Sequence, residues 1–132
     1  MLIGAGIGAL TGAAVGNYMD KEEARLRAQL QGTGVSVTRV GDAVILNMPG
    51  NITFATDSSN ISADFYSVLD SVALVINEFE KTYVDVIGHT DSTGAADYNQ
   101  QLSVARASSV ARYLESQQVL PERVVTQGAG ES

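Results

Sequence analysis

Gly88-His89-Thr90-Asp91-Ser92-Thr93-Gly94-Ala95-Ala96-Asp97-Tyr98-Asn99-Gln100-Gln101-Leu102-Ser103-Val104-Ala105-Arg106-Ala107 decides how the chain is read. A run rich in Val, Thr82 to His89, leads into it as a strand. Gly94 breaks the connection, and helical spacing follows over Ala95 to Gln117. Asn99 and Arg106 lie seven positions apart, about two helical turns, so they share a face. Asp91 stands where strand gives way to loop, the place at which open α/β sheets hold ligand-contacting groups. A carboxylate and a guanidinium are thereby offered from two elements across one loop. The pair suits a small zwitterion, with its ammonium on Asp91 and its carboxylate on Arg106.

The flanking sequence supplies the scaffold. Val35, Val37 and Val40 predict a first strand. After a Gly41-Asp42 turn, Val44, Leu46 and Met48 alternate with Ile45 and Asn47 as a second strand, closed by Pro49-Gly50. Ser62 is an N-cap for a helix with Asp64 in its first turn and Ile61 stapled to Tyr66. Phe65, Leu69, Val72, Ile76 and Phe79 recur at spacings of three and four, a core-facing stripe. On the Ala95–Gln117 helix the core face uses Tyr98, Leu102, Ala105, Val110 and Leu114. Pro121 closes the next loop, and Val124 to Gln127 begin another strand. The order is hairpin, helix, strand, helix, strand. It predicts an α+β fold, an α/β sandwich with two main helices on one face of a mixed sheet.

Composition narrows the chemistry. The chain has 132 residues, enough for one domain with a modest core, and a formal charge of −7. That acidity argues against nucleic acid, whose affinity rests on basic groups neutralising phosphate. With no cysteine there is no disulfide, thiolate site or thiol nucleophile, and a single histidine rules out multi-histidine metal sites. His89, Asp91 and Ser103 can be drawn as a triad, but no nucleophile-elbow glycine pattern supports it. Adjacent strand residues also point to opposite faces. His89 therefore reads as structure or pocket wall. The missing cysteine and second histidine remove thiol and zinc versions of an amidase or peptidase, and the chain is expected to be a non-enzyme without cofactor. Arg112 and Arg123 read as solvent-facing.

Residues 1–17 form an apolar segment of small residues, with Gly4, Gly8, Gly12 and Gly16 at every fourth position. In a helix these make one smooth stripe for close backbone packing, which suits a glycine zipper and a homo-oligomer. An uncharged helix of about sixteen residues spans only about 24 Å, short of the roughly 30 Å hydrocarbon core. The segment is expected to associate with a membrane, or to stay disordered in water, since each interior Gly costs a helix roughly 1 kcal/mol. Residues 18–34 read as a polar helical linker lifting the domain off a membrane. Glu22–Arg25 and Glu23–Arg27 would be its stabilising pairs.

Thr90-Asp91-x-x-Gly94 followed by Asn99-x-x-Leu102-Ser103-x-x-Arg106-Ala107 resembles the signature of OmpA-like peptidoglycan-binding domains, over roughly Val35 to Ser132. The resemblance implies non-covalent binding of peptidoglycan peptide stems through meso-diaminopimelate. Asp91 and Arg106 would grip its amino-acid end, with Asn99, Thr90, Leu102 and Ser103 in the same motif. Asp57, after Phe54, matches an acidic loop position facing that pocket, although Phe54-Ala55-Thr56-Asp57 departs from the commoner acidic pattern. The resemblance also implies an envelope lipoprotein of a Gram-negative cell, with an upstream lipid anchor and the globular domain in the periplasm. It implies that the 35–132 domain continues past Ser132 into a further helical stretch and a last strand. The alternative is a glycine-zipper-driven structural protein of the envelope with little wall affinity.

Overall fold

The computed structural model describes residues 2–7, 15–41, 43–55, 57–90 and 94–130, with the backbone alone for 2–7, 15 and 16. β2 (Ser36–Val40) and β3 (Ala43–Pro49) form the antiparallel hairpin that the alternation predicts. One helical turn, α2 (Gly50–Thr53), and a 3-10 turn (Ala63–Phe65) lead into α3 (Tyr66–Glu78). β4 (Val84–Gly88), α4 (Ala96–Ser116) and β5 (Val124–Gly128) follow, with β4 and β5 parallel. The helices cover one face of the sheet. Val44, Leu46, Met48, Val84 and Val86 point into the core, while Ile45, Tyr83 and Val125 remain exposed. Full burial of each large apolar side chain contributes about 1.5–3 kcal/mol.

Phe65, Leu69, Val72 and Ile76 are buried on α3, as their spacing requires, and Phe79 packs against the cluster from its rim. On α4 the core face is Leu102, Ala107, Val110, Ala111 and Leu114. Tyr98 is half exposed, so the stripe is rotated from the expected one. Ser62 stands at the helix entry without a side-chain cap bond. The Tyr66 ring packs at a tilt against Tyr113.

The leader departs from the helical expectation. Residues Leu2–Ile7 form β1, which lies between β3 and β4 in a five-stranded sheet of order β2-β3-β1-β4-β5. It pairs antiparallel with both neighbours, Leu2 to Ile7 against Pro49 to Val44 and Ile3 to Ile7 against Gly88 to Val84. The same residues carry a second period, with Gly4 and Gly6 alternating with Ile3, Ala5 and Ile7. That period fits a strand. β3 and β4 would otherwise face each other with unpaired N–H and C=O groups inside the sheet, a larger penalty than the weak propensity of glycine. Gly8 and Gly12 of the expected stripe lie outside the described residues.

The connector is docked rather than solvated. α1 (Val15–Leu30) buries Met19, Glu22, Leu26 and Leu30 against the domain. The Tyr18 ring meets Phe79 edge-on at 5.3 Å. Arg25 pairs with Glu78 of α3 rather than with Glu22, while Arg27 pairs with Glu23 as expected. Arg39 of β2 binds Asp20 and Glu23, fastening the helix to the sheet edge. Among the described residues no helix is long and apolar enough to cross a membrane.

Arg123 is likewise not in solvent. It is buried and donates to the carbonyls of Ile76, Phe79 and Thr82 and to the Thr82 hydroxyl. Those carbonyls lie at and just beyond the C-terminal end of α3, where a guanidinium satisfies orphan acceptors and the helix dipole together. Burial pushes the Glu22 carboxyl up to about 7, against the lowering effect of the Arg123 charge and the Thr82 hydroxyl.

Candidate functional site

The site lies where β4, the start of α4 and the chain after β5 converge. α4 runs unusually close to the strand ends. A Cβ on Gly88 would stand 2.0 Å from the Ser103 carbonyl oxygen, so only glycine permits this approach. Gly94, at φ +87°, makes the turn into α4. Past the strands the two chains stay zipped. The Ala129 amide donates to Gly88 O, and the Thr90 amide donates to Gly130 O at 2.7 Å.

Ser103 locks this zipper to the helix. Its hydroxyl donates to Gln100 O at 2.8 Å and accepts from the Gly130 amide at 2.9 Å. The Gln100 side-chain amide donates to Gly128 O. Asn99, Ser103 and Arg106 sit at i, i+4 and i+7, hence on one face, and all three are buried.

Arg106 is fully buried. Its Nε donates to Ser58 O at 2.8 Å, and Nη1 reaches His89 O at a longer 3.5 Å. The guanidinium lies 4.9 Å from the centroid of the Phe54 ring, a cation–π contact. One side chain therefore gathers the 57–61 loop, the end of β4 and α4. A planar guanidinium fork is a group suited to bidentate recognition of a carboxylate.

The sequence-predicted residues are distributed as follows. Arg106, Asn99, Ser103 and Thr90 come together at this end of the sheet, all buried. Leu102 is buried on α4 beside them. Asp57 is exposed in the left-handed region at φ +53°, next to the Ser58 whose carbonyl holds Arg106. Asp91 lies outside the described residues, directly after Thr90. Among the described residues no group of three His, Asp or Glu side chains could hold a metal ion. Sequence reasoning missed Phe54 as a ring under the guanidinium. It also missed Gln100 and the backbone of Ser58, His89 and Gly130. Backbone acceptors carry no sequence signal, whereas Gln100 stood inside the motif.

A mixed sheet with two main helices on one face, and a buried Asn-Ser-Arg helix face beside the Thr90 loop, defines a class, and the chain belongs to the OmpA family. The family profile matches residues 53–132, and a glycine-zipper profile matches residues 2–23. The chain is 53% identical over 119 residues to the probable lipoprotein YiaD of Escherichia coli strain K12, covering 90% of this chain and 54% of that protein. It is 32% identical to a peptidoglycan-associated lipoprotein of Mesorhizobium japonicum, covering 74% of this chain and 58% of the other. The chain thus spans little more than half the length of either relative. The fold is also that of a putative MotB-like protein from Desulfovibrio vulgaris, with TM-score 0.78 at 18% identity, covering 90% and 81% of the two chains.

Proposed function

We propose that this domain binds peptidoglycan peptide stems without covalent chemistry and tethers a Gram-negative envelope membrane to the wall from the periplasm. The observation that carries the reading is the complete burial of Arg106, its guanidinium steered by Ser58 O, His89 O and the Phe54 ring. In this reading Arg106 takes the carboxylate and Asp91 the ammonium of one amino-acid end group. Asn99, Thr90 and Ser103 order the loops around it. The matching end group is that of meso-diaminopimelate, whose side chain ends in an ammonium and a carboxylate on one carbon. The peptidoglycan-associated relative supports the ligand class.

Each charge-assisted bond contributes about 1.5–3 kcal/mol. Two or three of them give a dissociation constant on the order of millimolar to micromolar. That suffices, because many copies facing one polymer gain avidity. The Ser103 hydroxyl is engaged with Gln100 O and the Gly130 amide, a structural role in the site. Sedimentation with purified sacculi tests the reading. The wild type should pellet with the wall and be released by free meso-diaminopimelate, while Asp91→Asn and Arg106→Lys stay soluble with unchanged circular dichroism. A wild type that remains in the supernatant, or variants that pellet equally, would reject it.

The glycine-zipper match over residues 2–23 favours an additional structural role, self-association through the part of the leader that follows β1, at a membrane reached through an upstream lipid anchor. Gly8→Leu combined with Gly12→Leu, which leaves β1 and α1 untouched, should then lower the oligomeric state in detergent. An unchanged state would reject that role.

A further inference from the structure

A second surface lies beside the candidate site. Ser59 and Asn60 of the 57–61 loop, Tyr66 of α3, and Ser109, Arg112 and Tyr113 of α4 line an open groove of about 460 Å³. We propose that this groove is a carbohydrate subsite, which takes a sugar of the wall glycan while the Arg106 site holds the attached stem; it rests on the function proposed above.

The lining matches an amphipathic ring. Pyranoses present C–H faces that lie on aromatic rings and a rim of hydroxyl and acetamido groups that need hydrogen-bond partners. Tyr66 and Tyr113 supply a ring pair, with centroids 4.8 Å apart and planes tilted by 58°. The Tyr113 hydroxyl donates to the Asp70 carboxylate, which fixes that ring, and Tyr66 is 39% exposed. Ser59 and Asn60 offer hydroxyl and amide groups at the rim, and the Ser109 hydroxyl, which donates to Ala105 O, can still accept. Arg112 is exposed and forms no ion pair among the described residues, so its guanidinium is available to an acetamido or carboxyl oxygen. The volume falls in the range of small-ligand sites, about 300–1,000 Å³. A nucleic acid would meet one guanidinium on an acidic protein, which is a poor match.

The spacing also fits. Arg106, Ser109 and Tyr113 stand at i, i+3 and i+7 of one helix, so they share a side. Ser109 and Tyr113 lie about 4.5 and 10 Å along the axis from Arg106. In a stem whose third residue carries the zwitterionic end, two residues separate that residue from the sugar, about 7 Å when extended, plus the lactyl linkage. The same loop borders both places, since Ser58 O accepts from Arg106 while Ser59 and Asn60 line the groove.

Calorimetric titration with two ligands tests the proposal: a free stem tripeptide, and the same tripeptide attached to its disaccharide. The wild type should bind the sugar-bearing ligand about five- to tenfold more tightly. Tyr66→Ala and, independently, Arg112→Ala should erase that advantage and leave the affinity for the free tripeptide within twofold, with circular dichroism unchanged. Equal affinity of the wild type for the two ligands, or an advantage that survives both substitutions, overturns it. A third arm uses the peptide-free disaccharide at millimolar concentration, read by amide shifts. Shifts at Ser59, Asn60 and Tyr113 with no tripeptide binding would keep the groove and sink the stem reading. No shift in that arm overturns the groove even if the tripeptide binds.

Discussion

Glu22→Gln should stabilise this protein at alkaline pH, although it removes a carboxylate that feels the charge of the buried Arg123. Glu22 is fully buried on α1, facing Thr82 and the charge of Arg123, which in turn lies near Glu80 and Tyr18. Burial lifts its pKa from 4.5 to about 7. The folded state therefore holds a proton that the unfolded chain releases. The contribution to stability is complete below pH 4.5 and is lost as pH rises through about 7. At 1.36 kcal/mol per pH unit the loss approaches about 3 kcal/mol, and water reaching the carboxyl would trim it towards 2 kcal/mol. Gln imitates the protonated acid and does not titrate. Thermal unfolding of wild type and variant in parallel at pH 5 and pH 8 isolates this group, because titrations common to both proteins cancel in the difference. Glu23 and Glu78, whose lowered pKa values act in the opposite direction, are among those that cancel. The two proteins should agree within about 1 kcal/mol at pH 5, and the variant should gain roughly 2–3 kcal/mol at pH 8, about 8 °C in Tm for a chain of this size. A variant less stable than wild type at pH 8 would refute the reasoning and show a charged, stabilising Glu22–Arg123 pair.

Gly88→Ala places a methyl 2.0 Å from Ser103 O, so α4 must lift off β4; stability should fall by more than about 3 kcal/mol in urea unfolding, with amide protection lost at Gly130. Arg123→Ala strips four hydrogen bonds from the end of α3 and should cost about 3–5 kcal/mol, read as a lower urea midpoint at unchanged slope. Ser103→Ala removes one bond to the zipper and one within α4 and should cost about 1–2 kcal/mol, with faster hydrogen exchange confined to Gly130 and its neighbours.

Local periodicity carried much of this architecture. The hairpin alternation, the Phe65 to Ile76 stripe and the seven-residue step from Asn99 to Arg106 are properties of neighbouring residues, and each forms as read. What the sequence hid depends on distant partners. Residues 2–7 suit a helix stripe or an alternating strand equally well, and only the gap between β3 and β4 selects the strand. Met19, Leu26 and Leu30 mark a buried face on α1, but the charged residues between them disguise it. Arg123 resembles any surface arginine until three carbonyls around the end of α3 surround it. In the site, the motif identified the Asn99, Ser103 and Arg106 face. The ring beneath the guanidinium and the carbonyls that aim it come from residues as far as 52 positions away in sequence, beyond any local pattern.

The most direct test of the central claim is a titration of the isotope-labelled protein with meso-diaminopimelate, followed by amide and arginine side-chain resonances. Saturable shifts should appear at the Thr90, Asn99 and Gly130 amides and at the Arg106 Nε–H, and Arg106→Lys should abolish them. Silence at those positions, or shifts confined to the distant groove between Arg27 and Val37, would contradict the assignment of this site.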